Sequence, residues 1–457
     1  MTANYGGKSV WQKKDVSRRK VLGFGAAAGG LLATGGLASL LASCSTGDDS
    51  GVAAPGTDFT GELTLLLGSH MAAVKGLAEK YNTLHGVLPT VQEITTPDLR
   101  SKLTTSFLAK TSPYDAAFAT STIAQEMGKN NWARPTDKFL DQTPRQNATF
   151  LENAMAPVNY RGNYYGTPWT VGAPLLHWNK KMFQEVGLDP EAPANWHSTK
   201  NSWDTFLEYA KELTGVRNGV QKYGFTDAWA ADHKLYTFGS LLQMHGGKFL
   251  DEDGEPVFDS DAGEESIIKM FDLLNTYKVV DPAVETYKWV FDASPGYMSG
   301  NRGMFFTWPF IAGVAQDPKT SKVVGMSGIA PQPAVDTSAS VDGSEYLFVP
   351  TLASNPDEGW RFLALMSSKE SQKAIAETGW ASIYGEVNTD PAILKTFPYY
   401  QAIADSYKYP VDGGFAPDRD VWGKILGNEI SEALASKKSG KEALRNAKKL
   451  MLEERKA

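Results

Sequence analysis

The 457-residue chain has one cysteine, Cys44. A single thiol excludes a disulfide framework, a cysteine-based zinc site and an iron–sulfur cluster. The six histidines (70, 85, 177, 197, 233 and 245) form no i, i+4 pair, so a helix-borne HExxH-type metal site is absent as well. There is no GxSxG elbow, no Walker loop and no GxGxxG after a strand. Neither cofactor nor metal is therefore expected, and the chain reads as a non-enzyme. Basic surplus is also missing: 45 Lys and Arg face 52 Asp and Glu, a net charge of −7. That balance argues against nucleic acid, whose binding depends on cationic side chains displacing counterions. What is abundant is aromatic: 12 Trp, 18 Tyr and 21 Phe. Hydrophobic residues at 42% with charged residues at 21% exclude a wholly disordered chain, and the length predicts two or three domains.

The charge is segregated. Lys8, Lys13, Lys14, Arg18, Arg19 and Lys20 oppose Asp15 alone in residues 1–20, a balance of +5. Residues 21–43 are uncharged, and Cys44 follows. A basic head, an apolar middle and small residues before a cut describe an export signal. With six Gly and six Ala the apolar stretch is a weak membrane helix. SRRKVL (17–22) resembles a twin-arginine signal, and Leu41-Ala42-Ser43-Cys44 resembles a lipobox whose cysteine becomes the lipidated mature N-terminus. The expectation is a cleaved leader over 1–43, then a lipidated cysteine and flexible tether over 44–61. Without the leader the body holds 39 basic and 51 acidic residues, a charge of −12.

ELTLLL (62–67), VLPTVQEI (87–94) and YDAAFAT (114–120) read as strands, separated by helices over 71–86 and from Pro97 to Leu108. Strand–helix alternation at this pace predicts an α/β fold with parallel pairing, and ligands of such sheets sit beyond the strands' carboxyl ends. Those ends carry Ser69, His70, Thr120 and Ser121. Further on, a strand is expected at Leu175–Asn179 and helices at Lys181–Val186, from an N-cap at Ser202, at Lys234–His245 and at Gly263–Tyr277. A strand-like run returns at 304–308; VVGMSGIAP (323–331), a loop rich in Ala, Asp and Ser, and EYLFV (345–349) follow.

Four segments in order resemble the family-1 extracellular solute-binding proteins of ABC importers, the maltose and multiple-sugar type. They are YYGTPWTVGAPLLHWNKKMFQEVGLDP (164–190), NSWDTFLEYAKEL (201–213), SGNRGMFFTWPFIAGV (299–314) and NPDEGWRFLALMSSKESQKAIAETGW (355–380). The resemblance covers nearly the whole body. Met304-Phe305-Phe306, Asp342-Gly343-Ser344-Glu345 and the Ala-Ser-Ile-Tyr after Trp380 depart from the usual pattern and bear on which ligand is recognised.

The resemblance implies a two-lobed periplasmic-binding-protein-like fold, each lobe a mainly parallel sheet flanked by helices. Hinge crossings are expected near Pro168–Gly172, Gly296–Asn301 and Val341–Glu345. The expected division gives 62–170 and 300–342 to the N-terminal lobe, 171–299 and 343–457 to the C-terminal lobe. It further implies extracytoplasmic carbohydrate capture, either in a periplasm or on the outer cell surface, and delivery by a membrane-tethered monomer to an ABC permease. A sugar needs a flat aromatic for its C–H face and polar groups for its hydroxyl rim. Trp169, Trp229, Trp308 and Trp380 are the stacking candidates, because they fall where the family's cleft lies. Asp227, two residues before Trp229, and Ser344 and Glu345 at the third crossing join the strand-end residues as polar candidates. The blander alternatives are a surface histidine at 70, a helix cap at Asp227, and a hinge ion pair of Glu345 with Arg302. A glycerol phosphate or polyol-type ligand, a peptide, or less readily a lipid-anchored glycoside hydrolase using two carboxylates, are the rival functions.

Overall fold

Leu65, Leu66 and Leu67 are all fully buried, with no solvent face between them. A strand so placed is central and covered by helices on both sides, and this one lies between two parallel neighbours. The computed structural model describes residues 61–137 and 152–456; the leader, Cys44 and nearly all of the tether lie outside the described residues. In chain order the strands are β1 (Thr64–Gly68), β2 (Thr90–Ile94), β3 (Ala116–Thr120), β4 (Asn159–Tyr160), β5 (Asn163–Tyr164), β6 (Thr167–Thr170), β7 (Leu175–Asn179), β8 (Gly215–Arg217), β9 (Val220–Thr226), β10 (Arg302–Thr307), β11 (Ser327–Ala330) and β12 (Glu345–Phe348). They build one sheet of order β2-β1-β3-β12-β6, a second of order β11-β7-β10-β9-β8, and the small hairpin β4-β5.

The fold is α/β with both large sheets flanked by helices, and the sheets are mixed. Among the described residues, parallel ladders join β1 to β2 and β3, and β9 to β10. The remaining ladders are antiparallel. In the first lobe the helix Ala72–His85 buries Val74, Leu77, Ala78 and Tyr81, the i, i+3, i+4, i+7 stripe of an amphipathic helix. Gly86 at φ 70° ends it, a left-handed position that glycine adopts without strain. The Tyr81 hydroxyl donates to buried Glu358 at 2.6 Å, tying this helix to Pro356–Met366. Thr96–Leu108 buries Leu99, Leu103 and Phe107, and Phe107 stacks on Trp132 at 5.0 Å.

The second lobe has its own core, in which Trp178, Trp203, Phe206, Phe225, Phe238 and Phe306 meet Trp422, Leu426 and Ile430 of the helix Arg419–Leu434. Ser202 does not cap its helix. Asn201 holds the cap position at φ 60°, and the Ser202 hydroxyl instead donates to the Trp196 carbonyl at 2.6 Å.

The division of the chain between the lobes differs from the expected one. β10 and β11, within 300–342, lie in the second sheet, and β12, after 343, lies in the first. Gly296–Asn301 is correspondingly no crossing. It is the turn between the helix Val290–Met298 and β10, and both elements pack into one cluster of the second lobe. The physical reason is register. Edge-on pairing of Glu345 with Thr120 and of Met304 with Trp178 assigns these strands, and two short apolar runs carry no local mark of which sheet they join. Crossings do occur between β6 and β7 and between Val341 and Glu345. A third follows Trp380, where Ile383, Tyr384, Tyr400 and Ile403 share a cluster with Val171 and Leu175 before the chain returns to the second core.

Candidate functional site

The carboxyl ends of β1 and β3 and the amino end of β12 converge because β12 runs antiparallel to β3, with Glu345 opposite Thr120. That register brings Glu345 to His70, whose Nε2 lies 2.9 and 3.0 Å from the two carboxylate oxygens. Both side chains are partly buried, at 26% and 15% exposure. Burial alone would lower the imidazole's pKa, but the Glu345 hydrogen bond and charge outweigh it and hold the pKa above the ordinary value. Arg302, the blander alternative partner for Glu345, is engaged by Asp281 on the second lobe. His70 is therefore no free surface histidine.

The His70 ring lies 5.6 Å edge-on from Phe118 and 5.8 Å from Trp380. Trp380 is half-buried against the first core. It stacks at 5.2 Å and 30° on Phe310, which packs with the second lobe's Trp308 cluster. The Trp380–Phe310 stack thus joins the two lobes. Trp169 backs Trp380 at 5.2 Å but is itself fully buried.

On the second lobe Trp308 closes β10 and is 7% exposed. Around it lie Trp289 at 5.3 Å, Tyr236 at 4.7 Å and His233 at 5.4 Å. Two chain crossings run side by side at this point, since the Gly343 N–H donates to the Gly172 carbonyl at 2.7 Å. A Cβ on Gly343 would come within 2.6 Å of Trp308 Nε1, so only glycine lets the crossing pass the indole. The Tyr236 phenol is held protonated chiefly by burial, and it feels Arg419 and Asp232 from its own lobe and Glu345 from the other. The aromatic group of the second lobe thus lies, through Trp308, against the crossing at Gly343, two residues before Glu345 of the first.

Other sequence candidates are placed differently. Trp229 is fully buried in the second core, and its Nε1 donates to Asp227 at 3.1 Å and to Thr237 at 3.0 Å. Asp227 also accepts from the Ala228 N–H at 2.7 Å and from Thr237. It is neither a helix cap nor a cleft carboxylate but an interior anchor, and burial pushes its pKa up to about 7. Ser344 is wholly buried and, with Tyr407, donates to Asp342. Ser121 donates to the Asp342 carbonyl at 3.3 Å. These residues brace the crossing. Thr120 is partly buried and pairs with Thr122 at 3.0 Å, and Ser69 is exposed at the end of β1. Their positions remain at the strand ends.

Phe310, which stacks on Trp380, and Tyr236 and His233, which pack beside Trp308, carried no mark in the sequence as candidates, and Arg419 belongs to the second core. Arg419 is 3% exposed; its Nε donates to the Gly413 carbonyl at 2.7 Å and its guanidinium lies 4.4 Å from the Trp422 ring. Among the described residues no group of three or more His, Asp or Glu is arranged to hold a metal ion, and no helix is long and apolar enough to cross a membrane. Partly buried aromatic faces with polar rims suit a polyhydroxylated solute held between two surfaces.

Comparison with known proteins agrees with this architecture. The chain is 26% identical over 251 residues to a probable amino-acid ABC transporter periplasmic-binding protein of Sinorhizobium fredii, covering 54% of each chain. It therefore spans about half that relative's length. It is 22% identical over 387 residues to a maltotriose-binding protein of Pyrococcus abyssi, covering 81% of this chain and 76% of the other. An ABC transporter solute-binding protein of Thermotoga lettingae, solved with bound α-D-tagatose, superposes with a TM-score of 0.74 at 22% identity. That match covers 85% of this chain and 98% of the other and shows the fold. The profile described as "Bacterial extracellular solute-binding protein" matches residues 66–373, more than half the chain, and the chain belongs to that family.

Proposed function

We propose that the protein is an extracytoplasmic, lipid-anchored binding protein that captures a carbohydrate between its lobes and hands it to an ABC permease. The observation that carries this reading is the pairing of an aromatic and ionic set on one lobe, Trp380 with His70 and Glu345, with an aromatic set on the other, Trp308 with Tyr236. A sugar placed between them meets indole faces on its C–H surface and hydrogen-bonding groups on its rim. Thr120 and Ser69 stand at the same edge. Lipidation at Cys44 and removal of residues 1–43 complete the reading, with a monomer tethered through 44–61. The chemistry is binding: the ligand favours the closed form only by its greater affinity for that form, and prolonged incubation with a glycan should release no product.

A linear polyol presents the same hydroxyl rim and is the second reading, favoured by the polar groups but not by the stacking faces. A phosphate-bearing solute has less support, since Arg302 is engaged by Asp281. The deciding experiment titrates tryptophan fluorescence with maltotriose, D-tagatose, D-mannitol and glycerol phosphate, and follows small-angle scattering of the same samples. Saturable quenching with compaction by a sugar is the expected result; a response to none of them would sink the reading. Mass spectrometry of the mature N-terminus tests Cys44.

A further inference from the structure

His233 sits in the short turn Ala231–Lys234, immediately before the helix Leu235–Met244 that carries Tyr236. Its Nδ1 lies 2.9 Å from the Ala228 carbonyl oxygen. A carbonyl can only accept, so Nδ1 carries the proton, and in the neutral ring Nε2 is left as a lone-pair acceptor. The ring is 8% exposed, and Nε2 has no hydrogen-bond partner among the described residues. Buried side-chain acceptors without a partner are uncommon and costly. Burial also lowers the ring's pKa, a trend that the Ala228 carbonyl and the charges of Asp232 and Asp292 only partly oppose, so the ring is neutral at pH 7.

The His233 ring is surrounded by aromatic rings. Trp289 stands edge-on at 5.2 Å, Tyr236 lies at 5.3 Å and Trp308 at 5.4 Å. Trp308 of this group lies against Gly343, two residues before Glu345 on the crossing between the lobes. His233 differs from the interior His177, which also lacks partners among the described residues, in lying beside Trp308 and Trp289. Here one nitrogen is fixed rigidly to the backbone, which orients the other without satisfying it.

We infer that His233 is a specificity-determining residue, whose Nε2 accepts a hydrogen bond from one hydroxyl of the bound carbohydrate beside the Trp308 face. This rests on the proposed function and adds to it a requirement: the ligand must present a hydroxyl donor at this position. A deoxy analogue lacking it leaves Nε2 unpaired and loses affinity, because a site built around a polar group discriminates strongly against its removal.

The test uses the mature protein, with maltotriose, D-tagatose and D-mannitol as probes, in two arms. In the first, histidine ¹⁵N resonances are recorded with and without the probe that quenches tryptophan fluorescence. The His233 ring should show the Nδ1–H tautomer in both states, and its Nε2 resonance should shift toward the hydrogen-bonded range on binding. In the second, His233→Asn keeps a donor near the Ala228 carbonyl but deletes the distal acceptor, while His233→Gln restores an acceptor at that reach. Affinity should fall about tenfold or more in His233→Asn and recover in part in His233→Gln, with thermal melting as a check on folding. Quenching and compaction with an unmoved Nε2 resonance, or equal affinity in a folded His233→Asn, would overturn the assignment while leaving carbohydrate binding intact. Absence of any response by the unsubstituted protein would instead remove the functional reading on which it stands.

Discussion

Arg100 Nε, on the first lobe's helix Thr96–Leu108, lies 3.5 Å from Asp420 Oδ2 at the head of the second lobe's helix Arg419–Leu434. Arg100 is oriented by a bidentate pair with Glu126, both bonds 2.8 Å, and Asp420 also accepts from Lys424 at 2.8 Å. With the Trp380–Phe310 stack, this places two contacts across the cleft, one ionic and one aromatic. The ionic one belongs to the closed arrangement, since separating the lobes breaks it. Partly exposed ion pairs contribute about 0.2–1 kcal/mol, which corresponds to a change of up to about fivefold in a two-state equilibrium.

Arg100→Ala and Asp420→Asn should therefore open the lobes modestly and equally, weakening ligand affinity by up to about fivefold. The effect should shrink with added salt, because exposed charges are screened over about a Debye length. Scattering or distance measurements between dye pairs on the two lobes read this directly. A salt-independent difference, or none at all, would mean that the pair does not influence closure.

The two tryptophans Trp380 and Trp229 should separate binding from stability. Trp380 is half-buried at the cleft, so Trp380→Ala is expected to cost at least tenfold in ligand affinity and much of the ligand-dependent fluorescence change, with a smaller loss of melting temperature. Trp229 is enclosed in the second core and holds Asp227 and Thr237. Trp229→Ala should destabilise by about 3–5 kcal/mol, the range for truncating a buried aromatic. If the two profiles came out exchanged, the assignment of Trp380 to the site would fail.

Such a separation was beyond the sequence. Both residues sit in irregular segments, and the placement of Trp380 is decided by His70 and Trp169, more than two hundred residues away in the chain. The first lobe was readable through β3 because each strand and helix there has its own periodicity: β1, the Val74–Tyr81 stripe, β2, the helix opened by Pro97, and β3. The pairing partner of Glu345 was not readable. Arg302 and His70 are both plausible by charge, and only the antiparallel register of β12 on β3 selects His70. Lobe membership of β10 and β12 failed for the same reason. The hydrophobic pattern announces a strand, whereas its neighbours are chosen by long-range packing.

The His70–Glu345 pair predicts a specific titration. Because Glu345 raises the imidazole's pKa against the opposing effect of burial, Glu345→Gln should lower the midpoint of the His70 NMR titration. A group whose pKa is raised on folding stabilises fully below its ordinary value, here 6.5, and that contribution fades as pH rises through the raised value. Glu345→Gln should consequently cost more stability at pH 6 than at pH 8.5. An unchanged midpoint in the variant would show that the contact does not set the protonation of His70.

Asp227 and Asp342 predict a change of the same sign, a loss of stability with rising pH, for the whole protein. Burial pushes their pKa values up to about 7 and about 6 from the ordinary 3.8, although each accepts several hydrogen bonds. A carboxyl with a raised pKa binds its proton more tightly in the folded state, so the folded form gains at acid pH, and stability falls as pH rises from about 4 to about 7. The penalty is complete above the folded value, where each charge is held in the interior. Asparagine keeps the acceptor that Trp229 and Thr237 use but removes the charge. Asp227→Asn should thus flatten the pH dependence of unfolding and recover, relative to the unsubstituted protein, on the order of a few kcal/mol between pH 5 and pH 8. Denaturant melts at those two pH values measure it. A difference between variant and unsubstituted protein that stays constant with pH would show that Asp227 is ionised throughout and stabilised by its donors, which would make the Trp229–Asp227–Thr237 group an ionic anchor rather than a protonated one.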